Sequence, residues 1–280
     1  MRGEPAARVR LFVSDIDGTL VTPEKTLTPA AEDAVSRLHA AGLPFTIVSS
    51  RPARGMAALV AELGLTVPFA AFNGGSLVAP NGRLIAAKRL AVPAAREAIR
   101  LFRGRGVETW GFADNEWLVL TRHGPHVDHE RRTVGFAPTL VASFESVIDR
   151  LDKLVAVSDD APLLAEVEHE AQGLLAGRAN ARRSQTYYLD VTHPDADKGH
   201  AVAALAAEIG APLAETAVIG DQVNDLAMFE VAGLAIAMGQ GAAAVLAGAD
   251  FVTDANTADG FAHAVDRYIL PRVHAGQPRP

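Results

Sequence analysis

The chain has 280 residues, 49% of them apolar and 21% charged, which is enough apolar material for about two domains with buried cores. Its 33 acidic and 26 basic residues leave a formal charge of −7, arguing against a surface built to follow nucleic-acid phosphates or an anionic membrane. Cysteine is absent, so disulfides, thiolate nucleophiles and thiolate metal sites are excluded together.

Residues 1–10 do not have the form of a secretory leader, because the first apolar run is short and flows into Asp15 and Asp17. Neither charge-free stretch, 63–82 or 231–249, has the sustained Leu/Ile/Val/Phe content of a spanning helix, and a cytoplasmic protein is expected. The opening then alternates two kinds of element. A β-type run covers 9–14, and a helix starts at Thr28 as N-cap with Pro29 in its first turn and stops at Gly42. A second strand is expected at 44–49, a helix at 53–63 ended by Gly64, and a third strand at 69–73. Strand and helix in alternation predict right-handed crossovers and a parallel sheet covered on both faces.

From about Ser76 the pattern changes. Segments 76–79 and 83–87 flank Pro80-Asn81-Gly82, a hairpin turn, and a helix is expected at 93–103. Strands at 107–112 and 116–121 join through Asp114-Asn115, and another helix covers 162–175. This α+β pattern places a second domain at 85–189, inserted into a first made of 1–84 and 190–280. Alternation resumes with a helix at 198–209, a strand at 216–219, a helix at 224–231, a strand at 234–237 and a helix at 242–249. Only 271–280 has the composition of a frayed tail. The expected fold is α/β, a doubly wound, Rossmann-like parallel sheet with an inserted α+β domain.

Asp15 and Asp17 fall at the end of the first strand, on one side of it. Asp221 ends another strand, Asp225 follows one helical turn later, Lys198 begins a helix, and a third strand leads into Ser49, Ser50 and Arg51. In open parallel sheets the crevice at the carboxyl ends of the strands is where ligands bind. Four carboxylates against one ammonium leave about three negative charges in a partly buried place, where isolated ions cost several kcal/mol each. A divalent cation is therefore expected, and an all-oxygen donor set favours Mg²⁺ over zinc. A hard cation, a lysine and small hydroxyl and amide donors are the parts that neutralise a transferring phosphoryl group.

Asp15-Ile16-Asp17-Gly18-Thr19-Leu20, Ser49-Ser50-Arg51, Lys198-Gly199 and Gly220-Asp221-Gln222-Val223-Asn224-Asp225 resemble, in order and spacing, the four motifs of the haloacid dehalogenase superfamily. The insert between the second and third motifs, with Asn73-Gly74-Gly75 before it, resembles the Cof-type sugar-phosphatase branch, so the insert would be a cap that selects substrate. The resemblance implies that Asp15 is a nucleophile forming an aspartyl-phosphate and Asp17 a general acid and base. It implies Mg²⁺ held by Asp15, Asp221 and the backbone carbonyl of Asp17, with Asp225 supporting from its edge. Ser49, Ser50, Lys198 and Asn224 would bind the phosphoryl oxygens. The second motif is commonly Thr-Gly-Arg; Ser49 keeps the hydroxyl, and Ser50 adds a side chain where a backbone amide approaches phosphate. The partner implied is a small phosphorylated metabolite, met by a monomer or homodimer.

Two other functions are open to this site: a phosphomutase returning the phosphoryl group to its substrate, which the four motifs do not separate from a hydrolase, and a non-catalytic phospho-accepting or ligand-binding switch built on the same crevice. Asp17 argues against the switch, which gains nothing from an acid beside its phospho-aspartate. Gly239-Gln240-Gly241 follows a strand and opens a helix like a dinucleotide-binding loop, but too few residues remain after it, so a tight turn is expected. His123, His126 and His129 are expected on a solvated surface, Trp110, Phe112 and Trp117 in the core of the insert, and Arg131-Arg132 and Arg182-Arg183 in solvent.

Overall fold

The computed structural model describes residues 3–273. Strand β1 (Leu11–Asp15) is buried throughout and alternates its contacts: Phe12 packs into one apolar cluster, Leu11 and Val13 into another on the opposite face. Helix α1 (Pro29–Ala40), capped by the Thr28 hydroxyl that accepts from the Ala31 N–H, leads to β2 (Phe45–Val48), α2 (Ala53–Glu62) and β3 (Phe69–Ala71). The antiparallel strands β4 (Ser76–Val78) and β5 (Leu84–Ala87) extend that edge.

A second sheet follows. Its elements are α3 (Val92–Gly104), β6 (Glu108–Ala113), β7 (Glu116–Val119), α4 (Val127–Val134), β8 (Thr139–Leu140), β9 (Leu151–Val157), α5 (Ala161–Leu174), β10 (Asn180–Gln185) and β11 (Tyr188–Thr192). The chain then returns through α6 (Lys198–Ile209), β12 (Thr216–Gly220), α7 (Leu226–Val231), β13 (Leu234–Ala237), α8 (Ala243–Gly248), β14 (Phe251–Val252) and α9 (Gly260–Ala264). Helical structure runs on to Val273, so the expected tail begins in a helical turn, and 274–280 lie outside the described residues.

The first sheet has the order β14-β13-β12-β1-β2-β3-β4-β5, parallel from β14 to β3. Helices α1, α2 and α9 cover one face, and α6, α7 and α8 the other. The chain winds outward from β1 in one direction, then returns to its other side at β12, so the topological switch point lies at β1. The second sheet has the order β10-β11-β9-β6-β7-β8, with α3 and α5 packed on one face. Its other face lies against the first unit, where the rings of Phe72 and Phe112 are 5.6 Å apart. The fold is thus the doubly wound α/β core with an α+β cap. β5 straddles the position expected as a boundary at 84/85 and belongs to the core sheet, while β11 straddles 189/190 and belongs to the cap sheet. The crossings accordingly run near Lys88–Arg89 and His193–Ala196, just outside the paired strands.

Trp110, Phe112 and Trp117 are buried, on the cap face that meets the core. His126 stacks on Tyr187 with centroids 4.1 Å apart and sets Nε2 2.7 Å from Asp159 Oδ1, while His123 and His129 are exposed. The three histidines do not converge on one ion. Arg131, Arg132, Arg182 and Arg183 are exposed. Among the described residues no helix is long and apolar enough to cross a membrane.

Candidate active site

Strand register builds the site. Asp15 ends β1 opposite Val48, so Ser49 is the next residue beyond β2. On the other side Ser14 is level with Ile219, which brings Asp221 just past the end of β12. Three neighbouring strands therefore deliver a carboxylate, a hydroxyl and a second carboxylate to one edge of the sheet.

Lys198 enters as the first residue of α6, whose N-cap Asp197 accepts from the Gly199 and His200 N–H groups at 2.8 and 2.9 Å. A cation is unfavourable at that end of a helix. Here two carboxylates offset the penalty: the buried Lys198 Nζ donates to Asp15 Oδ1 at 2.6 Å and to Asp225 Oδ1 at 2.5 Å. Burial alone would lower the Lys198 pKa, but the charges of Asp15 and Asp225 outweigh it and raise it. Asp225 Oδ2 accepts from the backbone N–H groups of Asp221 and Gln222 at 2.9 and 2.8 Å, so both its oxygens are committed. Asp221 is oriented by Gln222 Nε2 at 2.8 Å and by the Thr19 hydroxyl at 3.3 Å.

Asp15, Asp221 and Asp225 each bring a carboxylate oxygen within 4.8 Å of the others, and all three are buried. Burial pushes the Asp15 carboxyl up to about 8 against the pull of Lys198, and the charges of Asp225 and Asp221 add to the rise. Asp221 is likewise raised, first by burial and then by Asp225. Three carboxylates facing one ammonium are short of positive charge. The chain also leaves room: Gly18 is in a left-handed conformation, and a β-carbon there would collide with the Asp221 carboxylate. An all-oxygen, electron-rich, sterically cleared cluster fits a hard divalent cation such as Mg²⁺.

Asp17 stands apart from this cluster. Arg51 Nε and Nη2 donate to its carboxylate at 2.8 and 2.6 Å, and Lys25 Nζ donates at 2.7 Å. Burial pushes the Asp17 carboxyl up, but the hydrogen bonds and charges of Arg51 and Lys25 prevail and hold it below the usual range. Lys25 reaches Asp17 from a tight turn in which Thr22 and Thr26 pair.

Ser49 is buried, and its hydroxyl accepts from the Arg51 N–H at 3.2 Å, while Ser50 is half-buried beside it. The Ser49 carbonyl accepts from the Asn73 N–H at 2.8 Å, and Asn224 Nδ2 lies 3.5 Å from Asn73 Oδ1. Phe72 and Asn73 both have left-handed backbone, φ 51° and 55°, which for a phenylalanine costs about 1–2 kcal/mol. That turn sets Asn73 beside Ser49 and Asn224. The Gly239-Gln240-Gly241 turn is also engaged: Gln240 Nε2 donates to the Gly18 carbonyl at 2.5 Å, fixing the loop after β1.

Asp15, Ser49, Lys198, Asp221 and Asp225 therefore gather at one strand edge, with Asn224 and Asp17 at its margins. The anchoring of Asp17 by Lys25 and of Gly18 by Gln240 was not apparent from sequence. The turn chemistry around Lys25 was the one signal that the chain folds back on β1.

A capped α/β core thus carries a lysine-bridged carboxylate cluster at its switch point. The chain belongs to the haloacid dehalogenase-like hydrolase family, whose model matches residues 12–265. It is similar to an HMP-PP phosphatase of Cronobacter sakazakii, 28% identical over 85% of this chain and 87% of that one. It is also similar to a pyridoxal phosphate phosphatase of Escherichia coli, 27% identical over 93% of this chain and 99% of the relative. A solved haloacid dehalogenase-like hydrolase from Bacteroides thetaiotaomicron shares the fold with a TM-score of 0.85 at 27% identity, covering 93% of this chain and 99% of that one.

Proposed function

We propose that this chain is a Mg²⁺-dependent phosphatase that hydrolyses small phosphorylated metabolites, sugar phosphates foremost, through an aspartyl-phosphate at Asp15. The observation that carries the reading is Lys198 bridging Asp15 and Asp225 beside Asp221. The named substrates of the two relatives, HMP-PP and pyridoxal phosphate, are themselves small phosphorylated molecules. In this reading the enzyme acts on such metabolites in the cytoplasm.

Asp15, Asp221 and the Asp17 carbonyl would hold the cation, and Asp225 would support it indirectly by fixing Lys198 and the Asp221 backbone. When bound, the cation supplies the charge that returns Asp15 to its carboxylate form and neutralises phosphoryl oxygens. Ser49, Ser50, Lys198 and Asn224 orient the phosphoryl group. An Asp15 oxygen attacks phosphorus and the bond to the leaving alcohol breaks; Asp17, which Arg51 and Lys25 hold as a carboxylate in the resting site, must first take a proton from solvent, and delivers it to the leaving oxygen. Asp17, then a carboxylate, takes a proton from water as the water oxygen attacks phosphorus, and phosphate leaves with Asp15 restored. Cap closure excludes bulk water during the first transfer.

The test is phosphate release from p-nitrophenyl phosphate and a panel of sugar phosphates. Release with Mg²⁺, lost on chelation and in Asp15→Asn, is expected. No release from any ester contradicts the reading, and isomerised ester without free phosphate would assign a mutase.

A further inference from the structure

The loop after β1 has to place two groups of one residue at once, the carbonyl and the carboxylate of Asp17. Its own hydrogen bonds converge on a single acceptor: the N–H groups of Thr19, Leu20 and Val21 lie 3.3, 3.0 and 3.1 Å from the Ile16 carbonyl. An isolated bridge pairs Asp17 with Val21. Between them Gly18 is left-handed at φ +86°, and a glycine brings no side chain to fix the peptide planes on either side of it.

Two side chains from the far end of the core act on this loop. Gln240, 222 positions from Gly18, donates from Nε2 to the Gly18 carbonyl at 2.5 Å. Its Oε1 accepts from the Asn256 N–H at 3.1 Å, and Asn256 Nδ2 donates to the Val21 carbonyl at 2.9 Å. One carboxamide is thus used at both ends, and the other holds the residue paired with Asp17. The Gly18 carbonyl shares a peptide plane with the Thr19 N–H, and the Thr19 hydroxyl donates to Asp221 Oδ1 at 3.3 Å. A restraint on that carbonyl therefore reaches a carboxylate of the cluster.

The segment that presents Asn256 is tightly built. Asp259 turns left-handed at φ 52° and accepts from the Thr28 hydroxyl at 2.8 Å, and a β-carbon at Gly260 would collide with the Asp254 carbonyl. That carbonyl accepts from the Gly239 N–H at 3.1 Å, which ties the Gln240 turn to the same segment. Backbone of this kind persists where the surroundings over-determine it. Folding stability gives little reason for Gln240 itself, which is exposed, since a hydrogen bond made there replaces one to water.

Resting on the phosphatase reading, we propose that Gln240 and Asn256 are positioning residues that clamp the loop after β1, setting the Asp17 carbonyl for the cation and the Asp17 carboxylate for the leaving oxygen. Loss of either side chain frees a carbonyl next to Asp17 or paired with it, and a displacement of about 1 Å costs about 10²-fold in rate.

The experiment compares wild type with Gln240→Met and Asn256→Ala, which remove the clamp and leave the charge of the site unchanged. The melting temperature of each metal-free variant is expected within about 4 °C of wild type. Half-saturating Mg²⁺, read from melting temperature, is expected to rise about 10-fold or more, as for other residues that orient metal ligands. With Mg²⁺ saturating, kcat should fall about 10-fold on p-nitrophenyl phosphate, whose phenolate leaves readily, and about 10²-fold on a sugar phosphate, whose alkoxide needs the acid. KM should change by less than about threefold. Amide hydrogen exchange of chelator-treated protein should be faster over 16–22 and unchanged in β2. Losses that follow a fall in melting temperature, with faster exchange throughout the core sheet, would show a purely structural role and overturn the proposal. Unchanged Mg²⁺ half-saturation and kcat would overturn it too. Release from no ester would instead defeat the phosphatase reading. The Mg²⁺ melts and exchange rates then still decide the clamp: weaker Mg²⁺ binding with a faster loop supports it, and unchanged values, or no Mg²⁺ stabilisation of wild type, overturn it.

Discussion

Lys198 Nζ is held 2.6 Å from Asp15 Oδ1 by a second carboxylate, Asp225, 2.5 Å away on its other side. Since Asp225 is itself fixed by two backbone amides, the position of the Lys198 ammonium is set by the turn after β12. Replacing Lys198 by Met leaves buried carboxylates without their cation. Breaking such a pair costs about 3–5 kcal/mol, and activity is expected to fall at least about 10²-fold with it. Denaturant melts with turnover assays check both, and a Lys198→Met enzyme of wild-type stability and rate would contradict the assignment.

The Asp15 carboxyl gives a pH dependence with a definite sign. In the metal-free protein its pKa of about 8 lies above the ordinary 3.8, so the folded state holds the proton more tightly than the unfolded chain. That contribution to stability is complete below the ordinary value and is lost as pH rises through about 8. Mg²⁺ binding requires the carboxylate, so it should stabilise more at about pH 8 than at about pH 6. Thermal melts of chelator-treated protein, with and without Mg²⁺, measure the difference. Equal Mg²⁺ effects at the two pH values would count against the site.

Lys25 and Arg51 together hold the Asp17 carboxyl below the usual range against the effect of burial. In Lys25→Ala one of these cations is gone and the Asp17 pKa rises. Because protonated Asp17 is the acid for the leaving group, the alkaline limb of the kcat/KM profile should move to higher pH. A limb that stays put or moves down would show that Asp17 is not that acid.

Gly18 tests the clearance beside Asp221. A β-carbon there meets the Asp221 carboxylate and must also adopt φ +86°. Gly18→Ala is expected to weaken Mg²⁺ stabilisation and lower kcat by about 10²-fold, since displacements of about 1 Å have that effect. Mg²⁺ titrations followed by melting temperature and by activity are the check, and unchanged Mg²⁺ dependence would remove Gly18 from the account.

Much of the core was legible because its signals are local. Strand and helix alternation placed β1, β2, β12 and β13, and strand ends placed Asp15, Ser49 and Asp221. The discrepancies have local causes as well. The strand expected at 69–73 stops at Ala71, because Phe72 and Asn73 turn left-handed. The helix expected from Asn224 opens instead with a 3-10 turn, Val223–Asp225, since the Asp225 carboxylate folds back onto the Asp221 and Gln222 amides. Helix α4 is strongly polar, with Val127 and Val134 its only buried residues, so periodicity could not reveal it. The pairing of Lys153 with Asp190 depends on the register of β9 and β11, separated by α5 and β10. No local pattern encodes such a contact.

The most direct test of the central claim is the covalent state of Asp15 during turnover. Acid quenching with a substrate radiolabelled in its phosphoryl group should trap label on the protein that hydroxylamine releases, as an acyl phosphate requires, and peptide mapping should place it on Asp15. Label on another residue, or none at all while phosphate is being released, would contradict the account.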